Sequence, residues 1–312
     1  MTTPYRSVRD LPGEDYLSTG ASMCAGCGGL ELVRLFHKML GEKIIFVNAA
    51  GCMTLLVTYP LTPFHGSWLY TSMGSAAAGA QGIRDALDVL IAKNRLSPEE
   101  NLKVVVLAGE GSTADIGLSA ESGALHRRLD FYYLCYDNEG YGNTGFQMSS
   151  MSPYASRTHT TEPGVLHPEG TVQRKKDIFE IWRAQRPAYI ATVSPRHPLD
   201  LAEKVRRSTE LSGSRLFLAL APCPPGWGFD PSQTHQVARA AVETGIWPLK
   251  EAVDGVVHHT YRPRLQPVNT YLEMQNRYSH LFAPVRQDAV IERMQSDVNA
   301  YWMAVRETES ET

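Results

Sequence analysis

Long apolar runs are missing from this 312-residue chain. None approaches the ~20 consecutive residues that a membrane-spanning helix needs. The first twenty residues, MTTPYRSVRDLPGEDYLSTG, hold no apolar signal core and read as an extended N-terminal arm. No block of basic residues occurs either. Lys and Arg number 30 against 33 Asp and Glu, a net charge of -3, so neither nucleic acid nor a membrane is expected as a partner. Cysteine is scarce and odd in number, five in all, which argues against a disulfide framework and for a reduced, cytoplasmic protein. No internal repeat and no linker marks off two independent domains. The chain divides into the arm (1–20), an α/β domain (21–245) and a C-terminal extension (246–312) packed on the domain or on a neighbour.

What is present alternates. The run Val104-Val105-Val106-Leu107-Ala108 is short and β-branched, so it predicts a buried strand. It leads into Gly109-Glu110-Gly111-Ser112, a tight turn where backbone can approach a ligand. A helix is expected from about Asp115 to Arg128, then a second buried strand from Phe131 to Tyr136 ending at Asp137-Asn138. A right-handed βαβ crossover puts both strand ends on one edge of the sheet, where ligands of open α/β sheets bind. Glu110 and Asn138 can then meet at one ion. With a backbone carbonyl nearby they are hard oxygen donors suited to Mg²⁺ and phosphate oxygens. Further strands at Lys43–Asn48, Ala188–Val193 and Arg215–Ala221 complete a doubly wound, mostly parallel sheet.

The cysteines follow the same edge. Cys24-Ala25-Gly26-Cys27-Gly28 is a glycine-rich chelating loop before a helix at about Leu30–Leu40. Cys52 follows one strand and Cys223, between prolines, follows another. Four thiolates suit either a zinc ion or a 4Fe-4S cluster; one close pair joined to two distant single residues suits the cluster better. Cys135 lies inside a strand and reads as a core residue.

These stretches together resemble the thiamine-diphosphate-binding β subunit of the multisubunit 2-oxoacid:ferredoxin oxidoreductases, the pyruvate type. The matching segments are Cys24-Ala-Gly-Cys27-Gly, Ala50-Gly-Cys52, Tyr59-Pro60, Thr113-Ala-Asp-Ile-Gly117, Asp137-Asn138-Glu-Gly-Tyr-Gly-Asn143-Thr144-Gly145, Ala221-Pro-Cys223-Pro and Val242-Glu-Thr-Gly245. The resemblance implies thiamine diphosphate held by Gly109, Glu110, Gly111, Ser112, Asn138, Gly140 and Thr144. It implies Mg²⁺ on Glu110, Asn138 and the Gly140 carbonyl, and a 4Fe-4S cluster on Cys24, Cys27, Cys52 and Cys223. Asn143 is placed near the reacting carbon. The implied reaction is oxidative decarboxylation of a small 2-oxoacid with electrons passing through the cluster to ferredoxin. Other subunits of the hetero-oligomer would supply the Glu that activates the aminopyrimidine, and further clusters.

Two positions depart from the family pattern. Glu110 stands where Asp is usual, and Gly142 stands where a larger side chain is usual, implying an altered pocket. Oxalate oxidoreductase, a relative with a β subunit of about this size, acts on a small dianion, so oxalate stands beside pyruvate as an expected substrate. The alternative is a non-redox thiamine-diphosphate decarboxylase or ligase subunit with a structural four-cysteine zinc site. Residues 54–74 read as a loop at the active edge, with His65 as a satisfied loop histidine. Arg157 and His159 read as ordinary surface residues, and Lys175 and Lys176 as solvated.

Overall fold

The computed structural model describes residues 5–58 and 60–310; the first four residues, Tyr59 and the last two residues of the acidic terminus lie outside them. In chain order the elements are α1 (Gly28–Leu40), β1 (Ile44–Ala49), β2 (Ser67–Thr71), α2 (Ala76–Ala92), β3 (Lys103–Gly109), α3 (Leu118–His126), β4 (Phe131–Asp137), α4 (Ile178–Ala184), β5 (Tyr189–Val193), α5 (Pro198–Thr209), β6 (Ser214–Leu220), α6 (Thr234–Glu243), β7 (Lys250–Val253), β8 (Val256–His259), α7 (Asn269–Leu272) and α8 (Asp288–Ser310). One sheet runs β2-β1-β3-β4-β6-β5-β7-β8, its first six strands parallel.

Strands β4, β5 and β6 are buried along their whole length, and β3 through its middle, because helices cover both faces. That is why they read as continuous apolar runs rather than as alternating ones. On one face Leu32, Val33 and Phe36 of α1 and Leu201 and Val205 of α5 pack over Phe46, Leu134 and Phe217. On the other, α2, α3, α4 and α6 cover Val47, Val106, Tyr133 and Leu216.

Three expectations are corrected. The segment 54–74 is not loop throughout: Ser67–Thr71 forms the edge strand β2, parallel to β1. Only Trp68 and Thr71 are half-buried and the other three are exposed, so a five-residue edge strand between Gly66 and a Ser-Met-Gly turn carries little periodic signal. Beyond Trp247 the chain does not leave the sheet. Strands β7 and β8 form a hairpin antiparallel to β5, and Trp302 of α8 donates from its indole to the Gly245 carbonyl. Four-residue strands split by Asp254-Gly255 fall below the length at which a pattern is legible. The helix expected from Asp115 begins earlier, in a wide turn over Ser112–Ile116 that runs into α3.

His37 of α1 ties the arm to the domain. It is buried, with its ring 5.2 Å from Tyr16, 5.0 Å from Phe46 and 6.1 Å from Phe64. Burial pushes its pKa down from 6.5 to about 4, and Nδ1 has no partner among the described residues. The folded value lies below the unfolded one, so its contribution to stability is full above pH 6.5 and is lost as pH falls toward 4. His37→Phe should lose less thermal stability than wild type on that acidification; equal losses in the two proteins would remove His37 from the acid response.

Candidate functional site

Strands β1, β3, β4 and β6 are consecutive neighbours, all parallel, and each ends at the same edge. Cys52 follows β1, Glu110 follows β3, Asn138 follows β4 and Cys223 follows β6. Four sequence-distant side chains are thus set side by side by strand pairing alone.

Gly28, at the start of α1, donates its N–H to the Pro222 carbonyl at 3.1 Å. A Cβ on Gly28 would stand 2.6 Å from Pro222 Cδ, so glycine permits this approach. The contact carries Cys24 and Cys27 to the loop of Cys223. Burial pushes the Cys52 and Cys223 thiols up to about 12, with further upward pressure on Cys52 from Cys223, Cys27, Glu110 and Cys24. The four sulfurs therefore share one neighbourhood, and burial keeps the Cys52 and Cys223 thiols neutral unless a cation draws off their protons. Cys135 lies apart, fully buried within β4.

The oxygen donors converge more sharply. Glu110 is 1% exposed, its Oε1 has no hydrogen-bond partner among the described residues, and burial with the neighbouring Asp137 carboxylate pushes its carboxyl well above the usual range. Glu139 follows Asn138 in the left-handed region at φ 64°, which turns the chain so that Asn138 and Gly140 face Glu110. With Oδ1 on that side, Asn138 oxygen lies 2.7 Å from Glu110 Oε2 and 2.9 Å from the Gly140 carbonyl, and Nδ2 faces Cys52 Sγ at 3.9 Å. With the amide turned over, Nδ2 donates to both oxygens instead. Oxygens on one edge of a Mg²⁺ octahedron lie about 2.9 Å apart, given Mg–O near 2.1 Å. The first orientation therefore fits a shared cation, and the second fits none. Among the described residues no three His, Cys, Asp or Glu side chains are disposed to hold a single ion; this set has one carboxylate, one amide and one backbone carbonyl.

The turn around them is closely filled. A Cβ on Gly111 would lie 2.3 Å from the Tyr141 ring, and one on Gly109 would lie 3.2 Å from the Tyr136 ring. Buried Ser112 donates its hydroxyl to the Met73 carbonyl. Asn143 and Thr144 are exposed at the mouth, in the Gly142–Thr144 turn, where Thr144 hydrogen-bonds Gln147. His65 contacts Ser18 Oγ at 2.6 Å, a satisfied loop histidine. His159 is exposed, while Arg157 is half-buried and faces Glu162.

Sequence reasoning missed the charges behind the site. Lys175 is not solvated: its Nζ lies 2.7 Å from Asp137 Oδ2 and 2.6 Å from Glu139 Oε1. Lys176 pairs with Asp115, which also accepts from Tyr141 Oη and the Ser150 N–H. Buried Arg277 reaches Glu139 Oε2 at 2.6 Å and stacks at 3.9 Å on Trp227, whose indole donates to the Asn138 carbonyl at 2.8 Å. The available signal was Asp137 and Glu139 at the end of an entirely apolar strand, which demands buried cations.

The profile of the thiamine pyrophosphate enzyme C-terminal TPP-binding domain matches residues 49–217. The chain is 40% identical over 294 residues to pyruvate synthase subunit PorB of Methanocaldococcus jannaschii, covering 94% of this chain and 97% of that one. It is 34% identical to the PorB subunit of Pyrococcus furiosus, covering 92% of each. It is also 34% identical to ketoisovalerate oxidoreductase subunit VorB of Pyrococcus abyssi, over 87% of this chain and 88% of that one. The fold matches a 2-oxoglutarate:ferredoxin oxidoreductase of Magnetococcus marinus at TM-score 0.54 and 20% identity, over 72% of this chain and 79% of that one.

Lys175 is the cation nearest to both Asp137 and Glu139, so removing it leaves buried charge uncompensated. Lys175→Met should lower unfolding stability by roughly 3–5 kcal/mol, read by denaturant titration of the folded chain. An unchanged midpoint would show that Arg277 suffices alone.

Proposed function

This chain belongs to the thiamine-diphosphate-binding β subunits of the multisubunit 2-oxoacid:ferredoxin oxidoreductases, and from that premise we propose that it carries Mg²⁺-held thiamine diphosphate beside a 4Fe-4S cluster for oxidative decarboxylation of pyruvate. One observation carries the reading: the Asn138 side-chain amide lies 2.7 Å from Glu110 Oε2 and 2.9 Å from the Gly140 carbonyl, on the sheet edge that also bears Cys52 and Cys223. When bound, thiamine diphosphate supplies a nucleophilic carbon and an electron sink for loss of CO₂, and the cluster supplies a one-electron outlet. The chain's own residues do the rest. Glu110, Asn138 and the Gly140 carbonyl hold the metal and so the diphosphate. Gly109, Gly111 and Ser112 let the backbone approach it. Asn143 and Thr144, at the mouth, face the incoming substrate, where an Asn143 N–H is suited to a substrate oxygen. Cys24, Cys27, Cys52 and Cys223 hold the cluster.

The relatives described above are named for pyruvate and ketoisovalerate, which favours a neutral side chain on the 2-oxoacid over the second carboxylate of oxalate. Partner subunits would hold the further clusters that pass electrons toward ferredoxin, in a reducing cytoplasm. Among the described residues no helix is long and apolar enough to cross a membrane. An anaerobic screen of the co-purified complex with pyruvate, 3-methyl-2-oxobutanoate and oxalate, reading reduction of a low-potential dye, tests the substrate. Oxalate as the sole active acid would overturn it. Iron analysis tests the metal: zinc without iron would favour the non-redox alternative. Since the cofactor of this family sits between two chains, the purified chain alone should turn over none of these acids.

Glu110 is the decisive ligand. Glu110→Ala should weaken Mg²⁺-dependent thiamine diphosphate binding by more than about tenfold, as losing a charged ligand costs over ~1.4 kcal/mol. Glu110→Asp, the family's usual residue, should keep most of it. Binding has to weaken as pH falls, because the raised Glu110 carboxyl must lose its proton to take the metal. Equilibrium binding to the assembled complex measures both effects, and full retention in the Ala variant would take Glu110 out of the site.

A further inference from the structure

Asn138 has two faces, and each addresses a different centre. Its side-chain oxygen position lies 2.7 Å from Glu110 Oε2 and 2.9 Å from the Gly140 carbonyl, while its nitrogen position lies 3.9 Å from Cys52 Sγ. An amide cannot present nitrogen to both sides. With no cation between the oxygens, the Gly140 carbonyl and the unprotonated oxygen of Glu110 can only accept, so the N–H groups belong on them and the amide oxygen faces Cys52. With a cation there, the oxygen must face it and the N–H turns to the sulfur. The backbone of Asn138 does not follow, because the Trp227 indole pins its carbonyl and Trp227 closes the Cys223 turn through its N–H to the Cys223 carbonyl at 2.8 Å. The side chain alone is therefore free to choose. Room for the choice comes from Gly142: a Cβ there would stand 2.6 Å from Asn138 Nδ2 and 3.3 Å from Cys52 Sγ.

We infer that the Asn138 amide is a two-position link through which metal–diphosphate occupancy sets the hydrogen bonding of Cys52. This rests on the reading above, in which Cys52 binds the cluster and Asn138 the metal. A loaded site gives Cys52 an N–H donor; an empty site gives it an amide oxygen. Donors to ligating sulfur stabilise the reduced cluster and raise its potential, whereas an oxygen dipole lowers it. Loading the organic cofactor thus readies the adjacent cluster to accept an electron, and by linkage reduction of the cluster tightens cofactor binding.

The test uses the assembled complex, loaded with Mg²⁺ and thiamine diphosphate or stripped of both under anaerobic conditions. The cluster's midpoint potential is followed by electron paramagnetic resonance, and its Fe–S stretching by resonance Raman in H₂O and D₂O. Loading should move the potential positive and add a deuterium-sensitive shift of the Fe–S modes. In Asn138→Asp, which keeps an oxygen for the metal but has no N–H, cofactor binding should persist while the deuterium-sensitive change on loading disappears. Identical deuterium effects in loaded and stripped wild type would overturn the link, and so would persistence of the change in Asn138→Asp. If that variant does not assemble, the wild-type pair alone decides. A complex without iron, or one whose Cys52→Ala variant keeps its full iron content, would instead overturn the reading on which the link stands.

Discussion

The site depends on parallel pairing of β1, β3, β4 and β6 in adjacent order. Parallel strands end together, and their neighbours' spacing of about 4.8 Å is rigid. Residues far apart in sequence acquire fixed mutual positions without any contact between their loops. The loops then need only turn inward. Gly28 against Pro222 and Gly111 beneath Tyr141 are two of the places where a side chain would obstruct that turn.

Electrostatics completes what topology begins. Three carboxylates, Glu110, Asp137 and Glu139, are buried within one corner. Lys175 and Arg277 answer two of them, with contacts of 2.6 and 2.7 Å. Glu110 has no such cation, and its carboxyl is pushed up accordingly. An isolated buried carboxylate is too costly to stay ionised, so it either holds a proton or meets a cation from outside. The two protein cations thus leave Glu110 as the buried acid of this corner without an ion-pair partner among the described residues.

The central strands and their order of chemistry were legible in the sequence because burial on both faces gives uninterrupted apolar runs, and turn glycines punctuate them. Glu110, Asn138, Cys52 and Cys223 announced themselves by residue type at strand ends, and Cys24 and Cys27 by their spacing in a glycine-rich loop. The edge strand β2 and the hairpin β7–β8 were not legible, since four or five half-exposed residues carry no period. Lys175 and Lys176 were misread for a related reason. They lie on an irregular segment, and a lysine's sequence neighbours do not reveal that its ammonium reaches back to a strand end some forty residues earlier. Trp227 and Arg277 escaped notice likewise: their partners are a backbone carbonyl and a carboxylate brought near only by the fold.

The Gly142 position changes meaning once geometry is considered. Read from sequence, the missing side chain implies an altered pocket. In the fold, the atom it lacks would point not at the mouth but between Asn138 Nδ2 and Cys52 Sγ. Any larger residue there must push the amide or the sulfur aside, or both. Glu110, one methylene longer than the usual Asp, meets the same amide from the other side, its Oε2 2.7 Å from the Asn138 oxygen position. The two departures from the family pattern thus flank one residue, Asn138, with a longer acid on one side and an absent side chain on the other.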